Sequence, residues 1–250
     1  MPARRPAAAC GALLVALAVP AAAEAATFTA PLKPCYVTAG TAIKRQSEGF
    51  PVAASGFAVN SLVNLTIDGG PVIGPDGQPL TNQATGALAG DNLQVNDRGV
   101  LALPALVPAP WIEAGQRDFT VTLTQQSNPA NVATAVSKVT ALDVNVDPRV
   151  AAPSEKVRFS GRGFTADAPV YAHYVHGGKL KKTVRMSGAP GVCGTWSAKR
   201  KQIPVHRAKT GWWIVQFDQA HRYRNGNKGA VNGVYVRLSI DVRLKRQRRN

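Results

Sequence analysis

Residues 154–178 read SEKVRFSGRGFTADAPVYAHYVHGG, and residues 47–70 read SEGFPVAASGFAVNSLVNLTIDGG. At an offset of 107, Ser47 meets Ser154, Glu48 meets Glu155, Gly56-Phe57 meets Gly163-Phe164, Val63 meets Val170 and Ile67 meets Tyr174. Further on, FTVTLTQ (119–125) lies over WIVQFDQ (213–219) at an offset of 94, and SKVTALDV (137–144) over YVRLSIDV (235–242) at 98. Shared strands joined by loops of unequal length give such changing offsets, so the chain contains an internal repeat of about 100 residues. Two units fill the chain after its first segment, with a boundary near Val146-Asp147-Pro148, where proline interrupts any strand.

The period inside each unit is two. Val234, Val236, Leu238, Ile240, Val242 and Leu244 share one face of a strand, and Tyr235, Arg237, Ser239, Asp241 and Arg243 share the other. Val121 and Leu123 alternate with threonines, and Trp213, Val215 and Phe217 alternate with Ile214, Gln216 and Asp218. Such segments recur between Gly, Pro, Asn and Asp turns, and helix signals are absent after the first segment. A sheet with one apolar face covers it with another sheet. The expectation is therefore an all-β protein of two tandem immunoglobulin-like sandwiches after a cleaved signal peptide.

The segment FSGRGFTADAPVYAHYV (159–175) resembles the Gly-Phe-Thr signature of bacterial immunoglobulin-like domains, as found in secreted actinobacterial proteins; in the first unit Ala58 stands in place of the Thr. The resemblance implies a sandwich and an envelope or extracellular setting, but no activity, because such domains serve adhesion, spacing and carbohydrate binding alike. The motif is structural: Gly163 allows the turn and Phe164 plugs the end of the sandwich.

Residues 1–26 read as an export signal: Arg4 and Arg5, an apolar run from Ala7 to Ala23, then small residues that allow cleavage after Ala23 or Ala26. The first sandwich is expected over 27–146 and the second over 147–250, with no membrane-spanning segment in the mature chain. Of three cysteines, Cys10 leaves with the signal. Cys35 and Cys193 remain and, in an oxidising compartment, are expected to form a disulfide between the units, with free thiols or pairing between chains as the alternatives.

The chain carries 30 Lys and Arg against 14 Asp and Glu, a formal charge of +16. The net is −1 over residues 1–150 and +17 over 151–250. Arg158, Lys181, Arg185, Arg237 and Arg243 are expected to point away from the core, joined by the cluster 199–201 and by the tail residues Lys245, Arg246, Arg248 and Arg249. Concentrated positive charge either keeps a protein soluble or attracts a polyanion such as a wall polymer or acidic glycan. No module for sequence-specific nucleic-acid recognition is present. Trp212 alternates outward and is the candidate ligand-contact ring, whereas Trp196 and Trp213 are expected in the core.

No catalytic, metal or cofactor site is expected. His173 and His176 lie three apart on a strand and so on opposite faces, a poor metal clamp. Cys193 in GVCGTW lacks the partners of a thiol nucleophile. Residues 151–250 hold only four acids, Glu155, Asp167, Asp218 and Asp241. Glu155 matches Glu48, which indicates turn and strand-entry roles, and Asp241 matches Asp143 at the offset of 98. The resulting reading is a secreted, non-enzymatic protein whose second domain associates with an anionic cell-surface polymer. The alternative is a protein–protein or adhesion module of the envelope.

Overall fold

The computed structural model describes residues 25–81, 86–165, 167–226 and 235–243. The export segment up to residue 24 and the tail with Lys245, Arg246, Arg248 and Arg249 lie outside the described residues. The first unit runs β1 (Thr27–Phe28), β2 (Tyr36–Gly40), β3 (Arg45–Ser47), β4 (Gly49–Phe50), β5 (Ala53–Ser55), β6 (Leu62–Ile67), β7 (Leu93–Gln94), β8 (Leu101–Ala102), β9 (Val107–Pro108), β10 (Gln116–Gln125) and β11 (Asn128–Ala141). The second runs β12 (Asp143–Asp147), β13 (Lys156–Arg162), β14 (Tyr171–His176), β15 (Lys179–Arg185), a 3-10 turn (Val192–Gly194), β16 (Trp196–Lys201), β17 (Gly211–Asp218) and β18 (Tyr235–Val242).

In the second unit, alternating apolar side chains force two sheets to close on each other. One sheet is ordered β12-β13-β16 and the other β15-β14-β17-β18, the Greek-key order of an immunoglobulin sandwich. Phe159, Phe164, Tyr174, Trp213 and Phe217 fill the space between them. The first unit repeats the plan with β1-β5-β8 against β3-β2-β11-β10-β6-β7, around Tyr36, Phe50, Phe119 and Leu123. The chain is all-β, two tandem immunoglobulin-like sandwiches. Trp213 and Trp196 are buried and Trp212 is 65% exposed, as the alternation requires.

Ladder registers place the repeat on a structural footing. Val121 faces Ile67, and Val215 faces Tyr174, so offsets of 107 and 94 bring equivalent residues together. The last strands differ from expectation. Val121 faces Ala135 and its counterpart Val215 faces Leu238, an offset of 103 rather than 98. The difference is odd and exchanges the faces of the strand: Val139 corresponds to buried Val242, not to exposed Arg237. The match of Asp241 to Asp143 fails with it.

Asp143 instead opens β12, which pairs with β13 from Asp143↔Arg162 to Asp147↔Arg158 and buries Val144 and Val146 in the second core. Residues 143–146, expected at the end of the first unit, pair instead with the second, as part of β12. Likewise Ala26, expected at the end of the export segment, is buried in the first core, and its N–H donates to Asn131 Oδ1 (3.0 Å).

Two devices recur in both copies. Gly56 and Gly163 adopt φ of +86° and +83°, and each is followed by a buried Phe. A Cβ on Gly56 would meet the backbone of Ala26 at 3.0 Å, and one on Gly163 would meet Leu142 Cα at 2.8 Å, so both the φ and the close chain require glycine. Glu48 and Glu155 make the same clip. Val37 N–H donates to Glu48 Oε2 and Ala152 N–H to Glu155 Oε2, both at 3.1 Å. The return bonds Glu48 N–H to Val37 O and Glu155 N–H to Ala152 O are both 2.9 Å.

Candidate functional site

The disulfide joins Cys35 to Cys193 across 158 residues, so Cys193 is not a free nucleophile. It ties the chain just before β2 to the 3-10 turn of the second unit. His173 and His176 lie on opposite faces of β14: His176 stacks on Trp213 with ring centroids 4.8 Å apart, whereas His173 lies on the other face. Among the described residues no group of three or more metal-ligating side chains occurs, and no helix is long and apolar enough to cross a membrane.

The expected basic residues do not share one surface. Lys181 and Arg185 lie on β15, an edge strand, with Lys181 at a bulge between Tyr174 and Val175 in the ladder to β14. Lysines and bulges on an edge strand block pairing with other chains, which accounts for them without a ligand. Arg237 is engaged from below: its Nε and Nη2 donate to Gln216 Oε1 (3.0 and 2.9 Å) and Nη2 donates to Asn225 Oδ1 (2.5 Å). Arg243 pairs with Asp241 at 2.5 Å, and this hydrogen bond raises its already high pKa.

Arg158 sits differently. It lies on β13, the middle strand of its sheet, and faces Lys199 of β16 directly. Two positions along, Lys156 faces Lys201. All four are exposed on the outer face, while Val157, Phe159 and Ala198 point into the core. Like charges directly opposite on one face destabilise a sheet by about 0.2–1 kcal/mol per pair, and here two such pairs are adjacent. From β12, Asp147 stands across from Arg158. Among the described residues none of the four cations is in an ion pair. Edge protection accounts for Lys199 and Lys201, because β16 is an edge strand. It does not account for Lys156 and Arg158 on the central strand. Sequence reasoning named Arg158 and the 199–201 cluster but omitted Lys156, because only the β13–β16 register brings the four together.

On the opposite sheet lies a buried polar row that the sequence alone did not reveal. His173 Nδ1 and Thr183 Oγ1 are 2.9 Å apart, His173 Nε2 lies 3.1 Å from Asp218 Oδ1, and the row meets the segment that follows β17. Ala220 O accepts from His173 Nε2 (3.0 Å), and Arg224 O accepts from Gln216 Nε2 (3.0 Å). Gln216 Nε2 also donates to Asp218 Oδ2 (2.8 Å), and Ala220 N–H to Asp218 Oδ1 (2.9 Å). His173, Gln216 and Asp218 are fully buried. Alternation correctly assigns them to the outer face; residues 219–226 fold back and cover it. Thr183, His173 and Asp218 follow the order of a hydroxyl–imidazole–carboxylate relay, but the imidazole and carboxylate are sealed from solvent. Their work is to hold the covering segment on the sheet.

No protein-family model matches this chain, and no curated protein matches it. Among solved structures it is similar to a tetra-tandem repeat in the extending region of a large adhesion protein, at 16% identity and a TM-score of 0.28, covering 86% of this chain and 50% of that one. The chain thus spans half the length of that structure. It is also similar to bovine butyrophilin (13% identity, TM-score 0.30, 88% and 99% covered). A third is murine CEACAM1b (12%, 0.21, 87% and 98%). Whole chains do not superpose at such scores, so the fold assignment rests on the ladders above.

Proposed function

We propose that the protein is an extracellular, non-enzymatic binding module whose second sandwich docks on a linear anionic polymer through the outer face of β12-β13-β16. One observation carries this reading: two adjacent cation–cation pairs, Lys156/Lys201 and Arg158/Lys199, face each other on the outer side of one sheet and, among the described residues, have no ion-pair partners. An arrangement that costs stability in the free protein is relieved when a row of phosphates or carboxylates lies between the strands, releasing their counterions. The disulfide supports an oxidising compartment, as expected of an exported protein.

The test is binding of the full chain to linear polyphosphate, beside two variants. Lys199→Glu/Lys201→Glu is expected to lose at least tenfold in affinity, about 1.4 kcal/mol. Lys181→Glu/Arg185→Glu, which makes the same change of charge on the edge strand β15 of the other sheet, is expected to bind like the parent. Equal loss in both variants would mean that binding follows net charge and not this face.

A further inference from the structure

The two copies differ at one edge. In the first, β2 continues past the Glu48 clip to Gly40 and pairs in parallel with the end of β11, Tyr36 opposite Val139 and Val37 opposite Thr140. The clip makes Ala152 the counterpart of Val37, but Glu155 follows only three positions later, and Pro153 stands where the strand would continue. The second copy therefore lacks the strand that covers this edge in the first. Its β18 pairs with β17 from Gly211↔Val242 to Asp218↔Tyr235 and, among the described residues, with nothing on its other side.

A groove of about 950 Å³ lies in the vacated place, between Arg149–Pro153 and Ser239–Arg243 of the β18 edge. Trp212 (65% exposed) and Val150 (91% exposed) border it, two large apolar side chains left in water beside unpaired backbone. Arg149 and Arg243 stand at its rim, Arg243 paired with Asp241, which also lines the groove, in a unit of strong positive charge.

We infer that this groove takes an extended segment of a partner protein, which adds to β18 at Val242–Arg243 as β2 adds to β11 at Val139–Thr140. The occupant is about five residues long, small or apolar at alternate positions, and acidic at its flanks. Backbone hydrogen bonds supply affinity and the alternate side chains supply specificity. This edge belongs to the opposite sheet from the cation pairs, so the inference stands apart from the polyanion reading.

The probe is a synthetic peptide of the sequence Tyr36–Thr41 with two glutamates added at each end, titrated into the full chain and followed by backbone amide NMR. Saturable shifts are expected at Ile240–Arg243, with amide exchange there slowed about tenfold when the peptide stands tenfold above its Kd. A peptide with proline in place of its Val and Ala cannot extend a ladder and is expected to be silent. A chain in which Thr38–Ser47 is copied in place of Pro153–Ser154, supplying the strand internally, is expected to lose the response. The inference is overturned by no saturable shift at millimolar peptide, by equal response to the proline peptide, or by shifts confined to the Lys156–Lys201 face. Shifts that track protein concentration without peptide would overturn it too, since they make a second copy the occupant.

Discussion

Tyr174 carries a hydroxyl that the fold does not use. It is fully buried between the sheets of the second unit, and among the described residues its Oη has no hydrogen-bond partner. Burial pushes its pKa up, opposed in part by the charge of Arg200. Burial also raises the pKa of Tyr36, although Lys33 N–H donates to that hydroxyl (2.9 Å). Because the folded chain holds both protons more tightly than the unfolded one, their contribution is fully present below pH about 10. It is lost as pH rises from there toward the folded-state values. Tyr174→Phe removes the orphaned hydroxyl and keeps the ring. Urea unfolding should show the variant equal to the parent or more stable, by up to about 1 kcal/mol, at neutral pH, and its stability should fall less between pH 9 and 11. Destabilisation at neutral pH would show that the hydroxyl has a partner. At this scale the repeat was the most informative signal: Gly56/Gly163 and Glu48/Glu155 were legible because identical residues at one offset mark identical local geometry. The buried hydroxyl was not, because alternation gives a side chain's face but not its hydrogen-bond partners.

Two sheets of the second unit are stabilised in opposite ways. The β15-β14-β17-β18 sheet seals polar side chains beneath residues 219–226, and Asp218 is the hub, accepting from His173, Gln216 and Ala220 N–H. Asp218→Ala orphans the Ala220 N–H and takes one acceptor each from His173 Nε2 and Gln216 Nε2, which keep Ala220 O and Arg224 O. It should cost about 1–3 kcal/mol in denaturant unfolding, with faster amide exchange over 219–226 than elsewhere. A cost below 1 kcal/mol would mean that water replaces the carboxylate. The β12-β13-β16 sheet instead exposes facing cations. Lys199→Glu/Lys201→Glu turns both like-charged pairs into opposite ones and should raise stability by about 1 kcal/mol, measured as a higher denaturant midpoint, even as it weakens polyanion binding. Strand content and faces were legible from the period of two. Register was not: SKVTALDV and YVRLSIDV fit about equally at several offsets, since small Ala, Ser and Val satisfy either face, and only the ladder to β10 or β17 decides. The same ambiguity hid β12, whose DVNVD pattern suits the end of one unit as well as the start of the next.

Across the whole molecule, two separate cores are stapled by one covalent bond between Cys35 and Cys193. Closing a loop of 158 residues restricts the unfolded chain by about 5 kcal/mol in the absence of strain. Cys35→Ser/Cys193→Ser should therefore lower the melting temperature and let the two sandwiches unfold in separate calorimetric transitions. A single unchanged transition would show that packing between the units, not the bond, couples them. Charge is divided as sharply as the cores, with the excess confined to the second unit. The sum was legible from composition. Its arrangement was not, because Arg237 and Arg243 are held by Gln216 and Asp241 while Lys156, Arg158, Lys199 and Lys201 have no ion pair among the described residues.

The most direct test of the polyanion reading is the salt dependence of linear polyphosphate binding by the full chain and by Lys199→Glu/Lys201→Glu. Each cation that neutralises a phosphate contributes about one unit to the slope of log K against log salt. The account predicts a steep negative slope for the parent and one shallower by about two in the variant. Parallel slopes and equal affinities would contradict it, leaving the facing cations as surface charge without a ligand.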